Sequence, residues 1–254
     1  MPGDNVTIEV NGREANQAVV SVLEHEGWGH FTAMQVRGGR VRGLGLHLSR
    51  LEAAHHEVYG RALGGPEVRA RIRHALGGRP DASVRVYGYW AGLIVTVREP
   101  QDMPSRPHSM TAVQFQRPLA RLKHVGSWGQ GRFRAAALAA GFDEGLLIDE
   151  TGRISEGTIT NVGFWRDGRV IWPEAPKLDG ITMLLLRRQL AAAGMGQAEE
   201  PVRVDDLAGY AGMILCNSRG WAPVSRIDDL MIPQDKEFTS VIEAAIGSCP
   251  WDEI

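Results

Sequence analysis

Apolar and polar positions alternate along several short runs and recur at three- and four-residue spacing along others. This predicts a chain of mixed strand and helix content. Residues 6–10 alternate as a strand and are closed by Asn11-Gly12, a dipeptide suited to a tight hairpin turn. Residues 31–36 read as a strand, Gly38-Gly39 as a turn, and residues 41–46 as the returning strand. From 47 to 59 the apolar positions Leu48, Leu51, Ala54 and Val58 follow helical spacing, with Gly60 as the stop. A second helix is expected over 66–76, with Pro66 in its first turn and Gly77-Gly78 behind it. Residues 83–90 and 93–97 form a hairpin across Ala91-Gly92, and 110–115 is a further strand.

The run Gln116-Arg117-Pro118-Leu119 breaks this pattern, which places a domain boundary there. We expect a smaller α+β domain over 1–116, a linker at 117–122 and a larger domain over 123–254. In the second half, 130–140 is alanine-rich and helical, and 145–149 is a strand. Residues 153–164 form an interrupted return strand, and Arg166-Asp167-Gly168 turns the chain toward a strand at 170–172. An apolar helix runs over 181–193. A short helix at 204–207, strands at 213–216 and 221–226 and a helix at 236–246 follow.

Composition narrows the function. The 254 residues, 43% of them hydrophobic, suffice for one large or two small domains. A net charge of -2 argues against nucleic acid as a partner, because phosphate backbones call for a basic stripe. Met1 to Asn5 lack a basic and apolar leader, and no apolar run approaches about 18 residues, so neither secretion nor a membrane span is expected. Cys216 and Cys249 make neither a disulfide framework nor a CxxC, which fits the cytoplasm.

Only Lys123, Lys177 and Lys236 are lysines among the 28 basic side chains. A chain that otherwise relies on arginine can keep a lysine where an amine must lose its proton and attack a carbonyl. Lys123 lies in an apolar, glycine-rich neighbourhood that suits this role; the plainer reading is a surface lysine in a loop. No metal is expected. His25 and His30 lack the four-residue spacing of a helical zinc motif, and His55-His56 are adjacent. The glycine stretches at 43–45 and 126–131 match neither a dinucleotide fingerprint nor a phosphate loop. Three further signals fit a phosphate-bearing aldehyde. Arg50 follows His47 by three on one helix face. Gly180-Ile181-Thr182 opens a helix, where free N–H groups attract anions. Asn217-Ser218 ends an apolar strand. Each has a plainer alternative: a solvated arginine, an ordinary cap and a turn.

These residues and their order resemble the fold-type IV pyridoxal-phosphate enzymes, which include branched-chain and D-amino-acid aminotransferases and aminodeoxychorismate lyase. The match runs from Gly29-His30-Phe31-Thr32 and His47-Leu48-Ser49-Arg50 through Lys123, Glu156-Gly157 to Asn161, Gly180-Ile181-Thr182, and Asn217-Ser218 to Pro223-Val224. The resemblance implies two domains of α+β or α/β type, like D-amino-acid aminotransferase, with pyridoxal 5'-phosphate in the crevice between them, and a homodimer. It implies that Lys123 forms the internal aldimine and shuttles the proton, and that Glu156 faces the pyridine nitrogen. Arg50, Ile181, Thr182 and Asn217 or Ser218 would hold the phosphate, and Asn161 would support the site.

There are departures. The approach to the first hairpin reads Val22 to Trp28 instead of an Asp- and Gly-rich segment. Trp128 stands where branched-chain enzymes carry a tyrosine, and Met183 where many relatives have arginine. The turn from Asn217 to Pro223 is one residue short. The expected activity is an aminotransferase acting between an amino donor and a keto acid. Arg98 or Arg219 would grip a carboxylate, and Phe31, Tyr87, Tyr89 and Trp128 would lie near the substrate. The alternatives are aminodeoxychorismate lyase, which eliminates pyruvate with the same lysine and glutamate, and a cofactor-free relative acting as a binding protein.

Overall fold

The computed structural model describes residues 6–16 and 28–254, so the approach segment 22–27 and His25 lie outside the described residues. The chain forms two compact units: residues 1–102, 122–126 and 250–254 make the first, and 103–121 and 127–249 the second. This differs from the split expected at 117–122. Residues 103–116 belong with the second unit because their strand lies inside its sheet. Residues 122–126 belong with the first because they pair with its edge.

The first unit is a seven-stranded antiparallel sheet in the order β16-β4-β3-β5-β6-β1-β2. Its strands are β1 (Thr7–Val10), β2 (Arg13–Glu14), β3 (His30–Arg37), β4 (Arg40–Arg42), β5 (Ala82–Tyr89), β6 (Gly92–Arg98) and β16 (Trp251–Glu253). Asn11 and Gly12 both take positive φ, 50° and 74°, as the tight turn between β1 and β2 requires. Along β3, burial alternates without a break: His30, Thr32, Met34 and Val36 face the core, and Phe31, Ala33, Gln35 and Arg37 face away. Helices α1 (Leu44–Tyr59) and α2 (Gly65–Leu76) cover the core face. Leu44, Leu51, Val68 and Ile72 pack there against Met34, Val84, Val86 and Val95. The strand expected over 41–46 is therefore shorter. Gly43, at φ 70°, turns the chain into α1, and Asp252 accepts the Leu44 N–H at 2.8 Å.

The second unit is a mixed nine-stranded sheet in the order β12-β11-β10-β13-β14-β7-β8-β9, with β15 also on β14. Its strands are β7 (His108–Gln114), β8 (Glu144–Ile148), β9 (Ile154–Gly157), β10 (Asn161–Arg166), β11 (Arg169–Pro173), β12 (Gln197–Glu200), β13 (Gly212–Asn217), β14 (Gly220–Ile227) and β15 (Leu230–Met231). Successive residues of β10, β11 and β13 enter two different apolar clusters. Phe164, Ile171 and Leu215 lie on one face, and Trp165, Trp172 and Ile214 on the other. Both faces are buried, so these strands read as continuous apolar runs rather than alternations. Gly163 is needed where it stands, since a Cβ there would come within 2.7 Å of the Trp172 ring. Helices α3 (Trp128–Ala139), α4 (Ile181–Ala192) and α5 (Lys236–Gly247) pack on this sheet, and Phe238 of α5 stacks on Trp165 at 5.1 Å. Among the described residues no helix is long and apolar enough to cross a membrane.

Candidate active site

In the first unit, residues 122–126 lie antiparallel to the start of β3. Phe31 N–H donates to the Lys123 carbonyl at 2.8 Å, and Val125 N–H to that of Gly29 at 2.9 Å. Antiparallel pairing puts Lys123 on the same side as Phe31, away from the core. Its Nζ lies 4.8 Å from the Phe31 ring centre, within cation–π range. Phe31 stacks on its cross-strand neighbour Tyr87 at 5.4 Å. The Arg85 guanidinium lies 6.0 Å from the same ring, and Arg98, opposite Ser83, stands on the same face. This face thus carries a half-buried amine, two aromatic rings and two guanidinium groups.

On the core side of β3, polar groups meet in an otherwise apolar setting. Thr32, fully buried, has its Oγ1 2.7 Å from His47 Nδ1 and accepts from Arg50 Nη2 at 3.2 Å. His47 is pushed well below the usual histidine pKa, first by burial and then by the charges of Arg50 and Lys123. Both effects favour its neutral form. A second buried pair, His30 and His55, lies 3.1 Å apart between ring nitrogens. Burial, and then the His55 charge, hold His30 down at about 4.

In the second unit, Glu156 is buried on β9 and forms an ion pair with buried Arg117, whose Nε lies 3.4 Å from Oε1. Its Oε2 accepts the Leu178 N–H at 3.2 Å. Asn161 donates to the Leu178 carbonyl at 2.7 Å and so ties β10 to the loop that leads into α4. Gly180 is required at that junction, because a Cβ would fall 1.9 Å from Asn161 Oδ1. The N–H groups of the first turn of α4, including those of Ile181 and Thr182, have no side-chain cap. The Thr182 hydroxyl instead donates to the Asn217 carbonyl at 2.7 Å and joins α4 to the end of β13. Asn217 Oδ1 accepts the Arg219 N–H at 2.8 Å, which closes the short turn containing half-buried Ser218.

Several expected residues stand apart from these groups. Trp128 is 76% exposed at the start of α3, with the Arg132 guanidinium 5.8 Å from its ring. Tyr89 is buried against Gly29, unlike half-buried Tyr87. Arg219 belongs to the β13–β14 turn of the second unit, whereas Arg98 shares the Lys123 face of the first. Four residues escaped the sequence reading as site residues: Thr32, His47, Arg85 and Arg117. The two-residue period of β5 carries a signal for Arg85, since it shares a face with Tyr87. Arg117 had none, because it sits in the stretch that breaks the pattern.

A family model described as amino-transferase class IV matches residues 29–227. A probable branched-chain-amino-acid aminotransferase from Synechocystis sp. is 26% identical over 116 residues, covering 44% of this chain and 38% of its own length. This chain therefore matches little more than a third of the length of the curated relatives. An aminotransferase from Brucella abortus, in a crystal structure bound to the cofactor PLP, has a TM-score of 0.83 at 18% identity, covering 95% of this chain and 98% of that one. A provisionally assigned 4-amino-4-deoxychorismate lyase from Legionella pneumophila has a TM-score of 0.79 at 16% identity, covering 88% and 92%. The fold is that of these enzymes, and with the family model matching most of its length the chain belongs to the class IV amino-transferase family.

Proposed function

We propose that the chain is a pyridoxal-phosphate-dependent aminotransferase, moving an amino group between an amino acid or amine and a keto acid. The observation that carries the reading is the placing of Lys123, half-buried beside Phe31 and Tyr87 on a face that also bears Arg85. Lys177, by contrast, is tied to Glu199 at 2.6 Å, with Arg187 on the same carboxylate at 3.1 Å. The residues present fit the cofactor. The buried carboxylate of Glu156 suits a protonated ring nitrogen. Arg50, the uncapped first turn of α4, and Asn217 or Ser218 suit a phosphate.

When bound, pyridoxal phosphate supplies an aldehyde carbon that takes up an amine and a ring that withdraws electrons from it. Lys123 Nζ would be the amine that holds that carbon and, once the donor's amino group takes its place, the base that would move the proton of the donor's α-carbon. Glu156 would be the carboxylate that holds the ring nitrogen in its protonated form. Phe31 and Tyr87 screen Lys123 from water on one side. Arg85 and Arg98 on one face favour a substrate with two carboxylates, held by guanidinium groups. A dicarboxylic keto acid meets that requirement, and so does aminodeoxychorismate, which keeps the lyase as the second reading. A homodimer in the cytoplasm belongs to the same proposal and rests on the resemblance to the family.

The test is to load the protein with pyridoxal phosphate, reduce it with borohydride and map the adduct by peptide mass. A phosphopyridoxyl mass on the Lys123 peptide, and none in Lys123→Ala, is the expected result. An unmodified Lys123 would overturn the reading. Turnover that needs an added keto acid separates the transaminase from the lyase.

A further inference from the structure

We propose that Thr32 and His47 are positioning residues for Arg50, fixing the guanidinium that grips the cofactor phosphate; this rests on the cofactor assignment above. Arg50 can only donate, so Thr32 Oγ1 must accept from its Nη2 at 3.2 Å. That leaves the Thr32 hydroxyl hydrogen available to His47 Nδ1 at 2.7 Å. In the tautomer that carries its proton on Nε2, His47 accepts there. The three groups form a one-way chain: Arg50 N–H to Thr32 O–H to His47 Nδ1. The neutral state that His47 needs for this is the one its burial and the neighbouring charges of Arg50 and Lys123 impose.

The geometry makes the chain more than incidental packing. Thr32 is 0% exposed and His47 3%, and β3 and α1 hold both backbones. The anchor at the far end of Arg50 is therefore rigid. A free arginine must be ordered when it binds an anion, and that ordering weakens binding. An arginine held by one Nη2 bond beforehand loses less freedom when the phosphate arrives. The effect should be greatest with ligands that carry the phosphate, because Arg50 is the group that Thr32 and His47 hold.

The experiment compares the affinities of full-length wild type, Thr32→Val, Thr32→Ser, His47→Leu and Arg50→Gln for pyridoxal phosphate and for pyridoxal, by absorbance titration. Thr32→Val is expected to weaken pyridoxal phosphate about tenfold while pyridoxal changes less than about twofold, and Thr32→Ser to restore the preference. Inorganic phosphate should compete with pyridoxal phosphate correspondingly less well in Thr32→Val. If Thr32→Val fails to fold, His47→Leu, which leaves the threonine hydroxyl unanchored, should shift the same preference in the same direction.

The two readings fail differently. Loss of preference in Arg50→Gln with full preference in both Thr32→Val and His47→Leu overturns this inference alone. Equal losses for pyridoxal and pyridoxal phosphate overturn it too, since they mark general damage to the fold. Absence of a borohydride-fixed adduct on wild-type Lys123 overturns the cofactor assignment and this inference with it.

Discussion

At the scale of single residues, the Arg117–Glu156 pair has the largest energetic stake. Both side chains are 5% exposed, so removing the guanidinium strands a carboxylate in a low-dielectric interior. Arg117→Met should destabilise the protein by about 3–5 kcal/mol in urea unfolding, and adding Glu156→Gln to it should recover part of that loss. A double variant no more stable than the single one would show that the pair does not act as a unit. Arg85 makes the opposite prediction. Its side chain is exposed, so Arg85→Leu should leave the melting temperature within about 2 °C, given that surface changes stay within about 0.5 kcal/mol. The KM of a dicarboxylic keto acid should rise about tenfold or more, and that of a monocarboxylic one far less. Lys123 and Glu156 could be singled out as candidates because amine and carboxylate stand in a recognisable order along the chain. Arg117 was not, because its importance comes from a partner 39 positions away rather than from its neighbours.

At the scale of elements, the long helices and the β5–β6 hairpin were readable from periodicity, and the short strands were not. β2, β15 and β16 have two or three residues, too few for any alternation to show. The start of α1 was misplaced for a more specific reason. Its first N–H is accepted by Asp252, 208 residues away, so no local capping residue announces the helix at Leu44. Asp252→Ala should therefore cost about 1 kcal/mol, read as a lower urea midpoint with an unchanged slope. An unchanged midpoint would mean that the helix start is satisfied without Asp252. The continuous apolar run of β13 was read correctly as a strand. It could not be read as buried on both faces until α4 and α5 were seen to cover it.

At the scale of the whole molecule, the buried histidines of the first unit should make stability sensitive to acid. His30 titrates at about 4 in the folded chain, against 6.5 unperturbed. Between those values the unfolded chain binds a proton that the folded chain refuses, so stability falls as pH drops through this window. His30 alone should remove about 2 kcal/mol between pH 7 and pH 5. His47 and His55 belong to the same unit and, also lowered chiefly by burial, act in the same direction. Urea midpoints measured at the two pH values check this. Equal midpoints would mean that the buried histidines accept protons without penalty. Asp143, held well below the usual carboxylate range by Arg106 in the second unit, keeps its charge throughout this window and offsets none of the loss. Length left one large or two small domains open, and the break in pattern suggested a boundary at 117–122. The placing of 103–116 and 122–126 could not be read from either, because it depends on which sheet each segment joins.

The last strand of the first unit, β16, carries a consequence for the order in which the protein is made. A ribosome releases residues 1–102 first, yet their sheet lacks its Lys123 segment and ends in an uncovered β4 edge until residue 253 has emerged. Nearly the whole second unit must be synthesised in between. The nascent first unit therefore waits with an exposed edge, the kind that pairs with other chains.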